Sequence, residues 1–418
     1  MESLGTNQRC VAAADVIAAC IDEPWCVVAT AVIAGDDIET TVRPESHQHD
    51  RFEIGSIGKT MTVTALAALV LDGTLALDDE ITRWLDAGDN GSITIAELAT
   101  HTSGLPRLAP NHGAGRTDDE QPYAHFNAAD AERGLREAQR RSDDSREYSN
   151  FGVQLLGLIV ERAAGAPLGD VLRERLWAPL GMTSTSVTGE QNPIVQGYDN
   201  RGRPVPAWVG PLPGPGLFTS SVSDMARYAA AVATVQPSPV GSAIQFTINH
   251  GLAWSSSDGG WISHNGGTAG ASSYLIARPN HGVAAVALAN TAGGQDLEQT
   301  AQLAALGRDP NEIRPSPASD DDVANVARAA ALIENADWPA LNAIMVGPTA
   351  EQLTPAVIEQ AWAPYVADLG VVKGHTIGSV RRQRGGVRAA IRLAFGDGER
   401  LVEVWLNDEG EVSGVLLA

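Results

Sequence analysis

The first third of the chain alternates between apolar runs of helical and of strand-like character. Between residues 9 and 22 the apolar side chains recur every three or four positions, which predicts a helix. Residues 25–33 and 38–42 are apolar runs on either side of a Gly-Asp-Asp turn, and they predict a β-hairpin. A longer apolar run over residues 58–71 stops at an Asp-Gly pair, which is typical of the C-terminal end of a helix.

Helical spacing continues downstream, interrupted by one long polar stretch. Short helices are predicted over residues 75–85 and 93–98, and longer ones over 151–164 and 223–232. Residues 107–147 are rich in Arg, Asp, Glu and Gly, with one helix predicted near 127–140. Such an excursion from a regular scaffold can form the wall of a substrate site. Residues 271–277 and 283–289 predict a second hairpin.

A change in composition divides the chain. Residues 304–322 are dominated by Arg, Pro, Ser and Asp and lack periodicity, which indicates a linker between a domain at 1–303 and a smaller one at 323–418. In the smaller part, three helical runs precede four strand-like runs separated by Gly-containing turns. Helices followed by a meander predict a small α+β domain.

Composition and charge exclude several classes of partner. The formal net charge of −22 argues against nucleic acid and anionic membranes. No apolar run is long enough to span a bilayer, and residues 1–5 do not resemble a signal peptide, so we expect a cytoplasmic protein. The three cysteines, Cys10, Cys20 and Cys26, fit reduced thiols in that compartment. Whether the chain forms a homo-oligomer stays open.

Candidate chemistry is concentrated at Ser56-x-x-Lys59, just before the long apolar run. At helical spacing, positions i and i+3 share a face, so the hydroxyl and the amine would point into the same space. A lysine in a partly apolar pocket can lose its proton near neutral pH and activate a hydroxyl. Lys59 is one of only two lysines in the chain, although Lys and Arg together number 29. The alternative is a Ser cap followed by a solvated Lys.

Two further groups of polar residues are candidates for ligand contacts or proton transfer. Tyr148 and Asn150 lie at the start of a predicted helix, where a phenol can shuttle a proton and an amide can hold a ligand carbonyl. Alternatively, they are a core aromatic residue and a helix cap. His264 precedes Asn265 and a Gly pair, and it is either a ligand contact or a polar residue at a strand edge.

Other histidines are assigned structural roles. His101 lies in a Gly- and Pro-containing turn and is expected to anchor that loop through hydrogen bonds. His47 and His49 are close in sequence, but no third ligand follows at a matching spacing, so we expect neither a metal nor another cofactor.

Ser56-x-x-Lys59, Tyr148-x-Asn150 and His264-Asn265-Gly266 occur in an order and at separations that resemble one known family. The chain resembles the serine β-lactamase and penicillin-binding-protein superfamily, specifically its class C β-lactamase, D,D-peptidase and esterase branch. The resemblance covers residues 9–300. The C-terminal part is similar to small α+β domains of the nuclear-transport-factor-2 kind (NTF2-like).

The resemblance implies an α/β fold of the α+β sandwich type, in which an antiparallel sheet is flanked by helices and joined by a mostly helical subdomain. It implies that Ser56 is the nucleophile, Lys59 its activator and Tyr148 the proton shuttle. Substrate-binding roles would fall to four residues, and the backbone N–H groups of two residues would form the oxyanion hole. The binding residues are Asn150, His264, Asn265 and Gly266; the oxyanion residues are Ser56 and Gly267.

One departure from the family pattern bears on the substrate. His264-Asn265-Gly266 stands where members that hydrolyse penicillins carry Lys-Thr-Gly, so the expected cationic clamp for a carboxylate is weakened. We therefore expect a serine hydrolase that acts on a small ester or amide through an acyl-enzyme, an ester of a short acyl group being favoured. The alternatives are a β-lactamase or D,D-peptidase proper, and a catalytically silent binding module of the same fold.

Overall fold

The computed structural model describes residues 4–113, 121–141, 146–190, 193–199, 202–293, 295–383 and 385–417. By their internal contacts the residues form two compact units, Met1–Pro310 and Asn311–Ala418. The candidate catalytic residues all belong to the first unit. None of the helices in these ranges is both long and apolar enough to cross a membrane.

The first unit is built from helices and mostly short strands. Its helices are α1 Thr6–Ile21, α2 Gly58–Leu71, α3 Ile95–Thr100, α4 Ala128–Glu137, α5 Asn150–Ala164, α6 Leu168–Leu172, α7 Val222–Thr234, α8 Pro239–Asn249 and α9 Gln295–Ala305. Its strands are β1 Val28–Ala34, β2 Asp37–Arg43, β3 Phe52–Glu53, β4 Ser186–Val187, β5 Gly197–Tyr198, β6 Pro204–Val205, β7 Phe218–Ser220, β8 Ser255–Ser257, β9 Trp261–Gly267, β10 Ser272–Arg278 and β11 Val283–Ala289.

A six-stranded antiparallel sheet in the order β2-β1-β11-β10-β9-β8 is the scaffold of this unit. Alternate residues of β11 lie on opposite faces of the sheet. Val286 and Leu288 pack in the main core, while Ala285 and Ala287 pack with residues of α1 and α9 on the other face. Because both faces of the sheet are covered, its central strands are apolar at nearly every position. The predicted antiparallel sheet flanked by helices is confirmed.

Helix α2 runs through the middle of the helical half and is buried on almost every side. Three threonines on it have hydrogen-bonded hydroxyls. Thr60 donates to Ile57 O and Thr64 donates to Thr60 O within the same helical stretch, whereas Thr62 donates to Gly214 O of a distant segment. Tyr228 of α7 adds a 2.8 Å hydrogen bond to the Thr60 hydroxyl. A buried helix without unpaired hydroxyls is a rigid support for residues at its first turn.

The second unit has its own core and its own five-stranded sheet, in the order β12-β13-β14-β15-β16. Its elements are β12 Ser316–Pro317, α10 Asp320–Glu334, α11 Trp338–Ala343, α12 Gly347–Gln352, α13 Pro355–Leu369, β13 Val372–Gln383, β14 Gly386–Phe395, β15 Glu399–Leu406 and β16 Val412–Leu417. The predicted α+β character is confirmed, whereas the similarity to NTF2-like domains stays a prediction.

The boundary between the two units, at Pro310 and Asn311, falls inside the stretch 304–322 that was predicted to be a linker. This stretch contains the end of α9 at Ala305, a helical turn at Pro310–Ile313 and the start of α10 at Asp320 behind a Ser319 cap. One expectation needs correction. Residues 75–85 contain only a 3-10 turn at Ile81–Arg83 instead of a helix. There the Asp79 carboxylate accepts the Ala76 N–H at 2.8 Å, a side-chain bond that competes with helical pairing.

Candidate active site

Ser56 lies in a 3-10 turn, Gly55–Ile57, between β3 and the start of α2. Glycine is required at the first residue of this turn and in the segment that packs against it. A Cβ on Gly55, whose φ is +48°, would lie 2.7 Å from the Gly267 nitrogen, and one on Gly216 would lie 2.1 Å from the Gly55 oxygen. Three backbone segments therefore meet around the half-buried serine, which holds its hydroxyl at a fixed position.

Lys59 is fully buried in the first turn of α2. Its Nζ lies 2.8 Å from Ser56 Oγ and donates a 2.7 Å hydrogen bond to Pro215 O. Burial, and secondarily the positive charge of Arg107, hold the pKa of Lys59 well below its usual value. A neutral amine keeps its N–H bond to Pro215 O and turns a lone pair toward the serine, which is what a proton acceptor must do.

Tyr148 lies two residues before α5 and covers this pair. Its ring centroid lies 4.9 Å from Lys59 Nζ. Burial raises the pKa of Tyr148, while hydrogen bonding to Ser56 and the Arg107 charge act in the opposite direction. The hydroxyl, amine and phenol expected from distant parts of the chain are thus brought together.

His101 packs against the ring of Tyr148. Its ring centroid lies 4.8 Å from that of Tyr148, and its Nδ1 accepts the backbone N–H of Ser149 at 3.3 Å. Burial, followed by repulsion from Lys59, lowers the pKa of His101 to about 3, so the ring is neutral. These contacts are those of the loop anchor that we expected at this position.

His264 on β9 faces the same cluster, with its ring centroid 6.4 Å from that of Tyr148. Its Nδ1 lies 2.6 Å from Asn265 O, which assigns the proton to Nδ1 and leaves Nε2 as an acceptor. Burial, followed by repulsion from Lys59, lowers the pKa of His264 to about 3. A neutral imidazole here does not provide the cation that a Lys-Thr-Gly sequence would.

Asn265 was also predicted to bind the substrate, which stays a prediction, but its side chain points away from the cluster. Adjacent residues of a strand point to opposite faces of the sheet, so His264 and Asn265 cannot both face the cluster. The Asn265 amide is exposed and donates a 3.0 Å hydrogen bond to Glu298 of α9, on the opposite face. Gly266, another predicted binding residue, lies where two backbone segments pack closely, because a Cβ there would lie 2.2 Å from Ile54 O.

A small pocket of about 30 Å³ opens beside Ser56. Gly267, the second predicted oxyanion residue, lines it together with Ser56 and Asn150. Asn150 donates a 3.2 Å hydrogen bond through Nδ2 to the Tyr123 hydroxyl, while its Oδ1 is buried and has no hydrogen-bond partner among the described residues. Both predicted sources of oxyanion-binding N–H groups therefore border one cavity.

Several residues of this site were missed in the sequence. Tyr123 belongs to the polar stretch that was expected to wall a substrate site, but it was not singled out there. Trp208, Thr268 and Leu217 also line the pocket. Trp208 lies in an aperiodic segment between short strands, so no pattern could have identified it.

The closely spaced histidines near residue 50 pair with their neighbours. His47 Nδ1 lies 2.7 Å from an Asp50 carboxylate oxygen, and the His49 ring bonds the Gln48 amide at 3.1 Å. Within the described ranges, no group of three or more His, Cys, Asp or Glu side chains is arranged to hold a metal ion.

A sheet flanked by helices, with a serine and a buried lysine at the start of the central helix, defines the class of serine β-lactamases and penicillin-binding proteins. The chain belongs to the Beta-lactamase family, whose model matches residues 26–309. Similar curated proteins include a penicillin-binding protein, a hydrolase and a carboxypeptidase/endopeptidase.

Individual relatives are distant. A penicillin-binding protein of Bacillus subtilis (strain 168) is 25% identical over 320 residues, which are 67% of this chain and 70% of that protein. An unguisins hydrolase of Aspergillus campestris is 28% identical over 310 residues, or 63% of this chain and only 56% of its own length. A D-alanyl-D-alanine-carboxypeptidase/endopeptidase of Escherichia coli (strain K12) is 32% identical over 158 residues, or 35% of this chain and 39% of its own length.

Solved structures show the same fold for the first unit. A class C β-lactamase from Rhodobacter sphaeroides superposes with a TM-score of 0.59 at 20% identity, covering 72% of this chain and 98% of its own. A β-lactamase from Sulfitobacter sp. EE-36 gives 0.61 at 20% identity, covering 73% and 98%. At this identity the likeness defines the fold alone.

Proposed function

We propose that this protein is a serine hydrolase that forms an acyl-enzyme at Ser56 and cleaves a small ester. The observation that carries the proposal is the 2.8 Å contact between Ser56 Oγ and an amine that is fully buried and anchored on Pro215 O. Burial favours the neutral amine, and a neutral amine can take the serine proton as Oγ attacks the substrate carbonyl.

The remaining groups have complementary roles in the proposed reaction. The oxyanion accepts hydrogen bonds from the backbone N–H groups of Ser56 and Gly267, each worth about 3–4 kcal/mol of barrier. The proton on Lys59 passes through the Tyr148 phenol to the leaving oxygen as the ester bond breaks. Water then attacks the acyl-enzyme, giving its proton to the same pair, and the acid leaves with Ser56 restored.

A β-lactamase or D,D-peptidase proper is the second candidate, supported by the names of the relatives. The neutral His264 disfavours it, since the site then lacks a cation for the substrate carboxylate at that position. Rapid nitrocefin turnover, or a stable penicillin adduct on Ser56, would place this candidate first.

The test of the proposal is hydrolysis of p-nitrophenyl acetate by Ser56→Ala. We expect kcat/KM to fall by at least about 10³-fold toward the background rate, because the covalent step is removed. Ser255→Ala, an exposed serine on the edge strand β8, is the matched control and should retain wild-type turnover. Unchanged turnover in Ser56→Ala, with the fold intact by circular dichroism, would remove the proposal.

A further inference from the structure

The two proposed oxyanion donors lie on segments that are far apart in the sequence. Ser56 belongs to the turn before α2, and Gly267 ends strand β9. The Thr268 N–H bonds Ala271 O at 2.9 Å and closes the turn into β10. Because hydrogen-bonded and non-hydrogen-bonded pairs alternate along an antiparallel ladder, the neighbouring Gly267 directs its N–H away from β10. On that side, β8 pairs with residues 261–263 and does not reach Gly267, so the N–H is left for a ligand.

The turn that carries Ser56 packs directly against this end of β9. A Cβ on Gly55 would lie 2.7 Å from the Gly267 nitrogen. No backbone hydrogen bond joins residues 52–57 to residues 261–271, all of which the structure describes. The spacing between the two oxyanion N–H groups is therefore not set by a β-ladder, and side-chain contacts have to set it.

Two side-chain hydrogen bonds between described residues join these segments. The buried Ser273 hydroxyl, on β10, donates to Ile54 O at 2.7 Å. The Thr268 hydroxyl donates to the Glu53 carboxyl group at 3.2 Å. Ser273 pairs with the residue that precedes Gly267, and Thr268 is the residue that follows it. The two bonds therefore flank the Gly267 N–H.

Glu53 is a buried carboxyl group that the proposed reaction does not use. Its other oxygen accepts the Trp208 backbone N–H at 2.9 Å, so the group joins a third segment to the same place. Burial disfavours the ionised carboxylate and raises the pKa of Glu53 to about 7. A polar group that is buried at such a cost is typical of functional sites.

We propose that Glu53 is a positioning residue of the oxyanion hole. Its bond to Thr268 holds the end of β9 so that the N–H groups of Gly267 and Ser56 converge on the oxygen of the tetrahedral intermediate. Glu53 touches neither the substrate nor the reacting atoms, and it acts through Thr268. The inference rests on the proposed function and adds to it a residue that controls how strongly the transition state is bound.

A tetrahedral adduct reports on this geometry separately from the stability of the fold. Methylboronic acid forms a bond between boron and Ser56 Oγ, the serine proton passes to the Lys59 amine, and the boron becomes a four-coordinate anion. One boronate oxygen then takes the place of the oxyanion. A displaced Gly267 N–H should weaken this adduct and the acylation transition state by similar factors, whereas a general loss of stability should lower the melting temperature without that correlation.

The experiment measures kcat/KM for p-nitrophenyl acetate and the Ki of methylboronic acid. Thr268→Val removes the hydroxyl at constant size, and Glu53→Met removes the carboxyl group. Each should lower kcat/KM about tenfold and raise Ki about tenfold, a part of the 10²–10³-fold that removal of a whole oxyanion donor costs. The double variant should lose little more than either single variant, because both substitutions remove the same bond. Thr268→Ser restores the hydroxyl and should recover most of the lost activity.

Thr219→Val is the matched control. Thr219 is a buried threonine directly opposite Glu53 on β7, and its hydroxyl has no hydrogen-bond partner among the described residues. Its replacement by valine changes the packing around Glu53 as little as Thr268→Val does, but it breaks no bond to the carboxyl group. Both kcat/KM and the boronate Ki should therefore stay within about twofold of the wild type.

The outcomes separate the inference from the proposed function. Wild-type kcat/KM and Ki in Thr268→Val would overturn the inference, and this half-buried turn residue can be changed without disturbing the core. Additive losses in the double variant would also overturn it, because Glu53 would then act by another route. A wild-type protein with neither Ser56-dependent hydrolysis nor boronate binding would overturn the proposed function itself.

Discussion

Gly266→Ala is the substitution whose effect can be worked out most directly from the geometry. A Cβ at this position would lie 2.2 Å from Ile54 O, 2.3 Å from Ser273 Oγ and 3.0 Å from Ser56 N. Real Cβ contacts essentially never fall below 3.0 Å, so the backbone around Ile54 and β9 must separate by about 0.8 Å or more. That displacement moves the Ser56 N–H relative to Gly267.

We expect Gly266→Ala to reduce the rate of hydrolysis strongly while the protein still folds. Misplacing catalytic groups by about 1 Å costs on the order of 10²-fold in rate, while overpacking a core typically costs about 1–3 kcal/mol of unfolding free energy. We therefore expect about a 100-fold fall in kcat for p-nitrophenyl acetate, with a cooperative thermal transition retained at lower temperature. Initial-rate hydrolysis assays measure kcat, and calorimetry on the same preparation measures the thermal transition.

Two controls sharpen this test. Gly374→Ala adds the same methyl group to β13 where nothing lies within 4 Å, so it should be neutral for activity. Adding Ser273→Ala to Gly266→Ala removes the side-chain clash but leaves the clash with the Ile54 carbonyl, so the double variant should remain impaired. A folded Gly266→Ala protein with activity within about threefold of wild type would refute the reasoning.

Three further predictions concern pH and stability. Burial raises the pKa of Glu53 from an ordinary 4.5 to about 7, so the protonated carboxyl stabilises the folded state fully below pH 4.5, and this stabilisation is lost as pH rises through 7. At about 1.4 kcal/mol per pH unit the loss is about 3 kcal/mol, and Glu53→Gln should remove that part of the fall in unfolding free energy between about pH 4 and pH 8. Chemical denaturation measures the fall, and an unchanged pH dependence in Glu53→Gln would contradict the prediction. The positive charge of Arg107 lowers the pKa of Lys59, so Arg107→Gln should raise that pKa and shift the acid limb of the kcat/KM pH profile to higher pH. Arg107→Lys keeps the charge and should leave the acid limb unchanged. An unshifted acid limb in Arg107→Gln would argue against this electrostatic role. Tyr228→Phe removes the buried bond to Thr60 and should lower unfolding free energy by about 1–2 kcal/mol with activity retained, and a neutral effect on thermal unfolding would count against the rigid support of α2.

The local part of the site could be predicted from sequence because it depends on helix geometry alone. Ser56 and Lys59 lie three positions apart at a helix start, and that spacing brings Oγ and Nζ together whatever the rest of the chain does. The approach of Tyr148 depends on where α5 packs against α2, and no spacing within the chain determines that. From the residues alone Tyr148 was either a proton shuttle or a core aromatic residue, and the resemblance to a family favoured the first role.

The features that the sequence did not predict have equally specific causes. The family resemblance grouped Asn265 with His264, whereas the two-residue period of a strand sends their side chains to opposite faces. Residues 75–85 have apolar positions typical of a helix, yet the Asp79 side chain bonds the backbone and the chain turns instead. Trp208 and Tyr123 reach the pocket along irregular segments, whose paths depend on tertiary hydrogen bonds such as those of Glu53 and Gln121.

Covalent labelling with a fluorophosphonate probe, followed by peptide mass spectrometry, determines whether Ser56 is an activated nucleophile. An activated serine reacts with such a probe, so we expect a single adduct on the peptide containing Ser56. Lys59→Arg should abolish the adduct, because a guanidinium cannot accept the serine proton. An unlabelled Ser56 in a folded protein, or equal labelling of Lys59→Arg, would show that Lys59 does not activate Ser56.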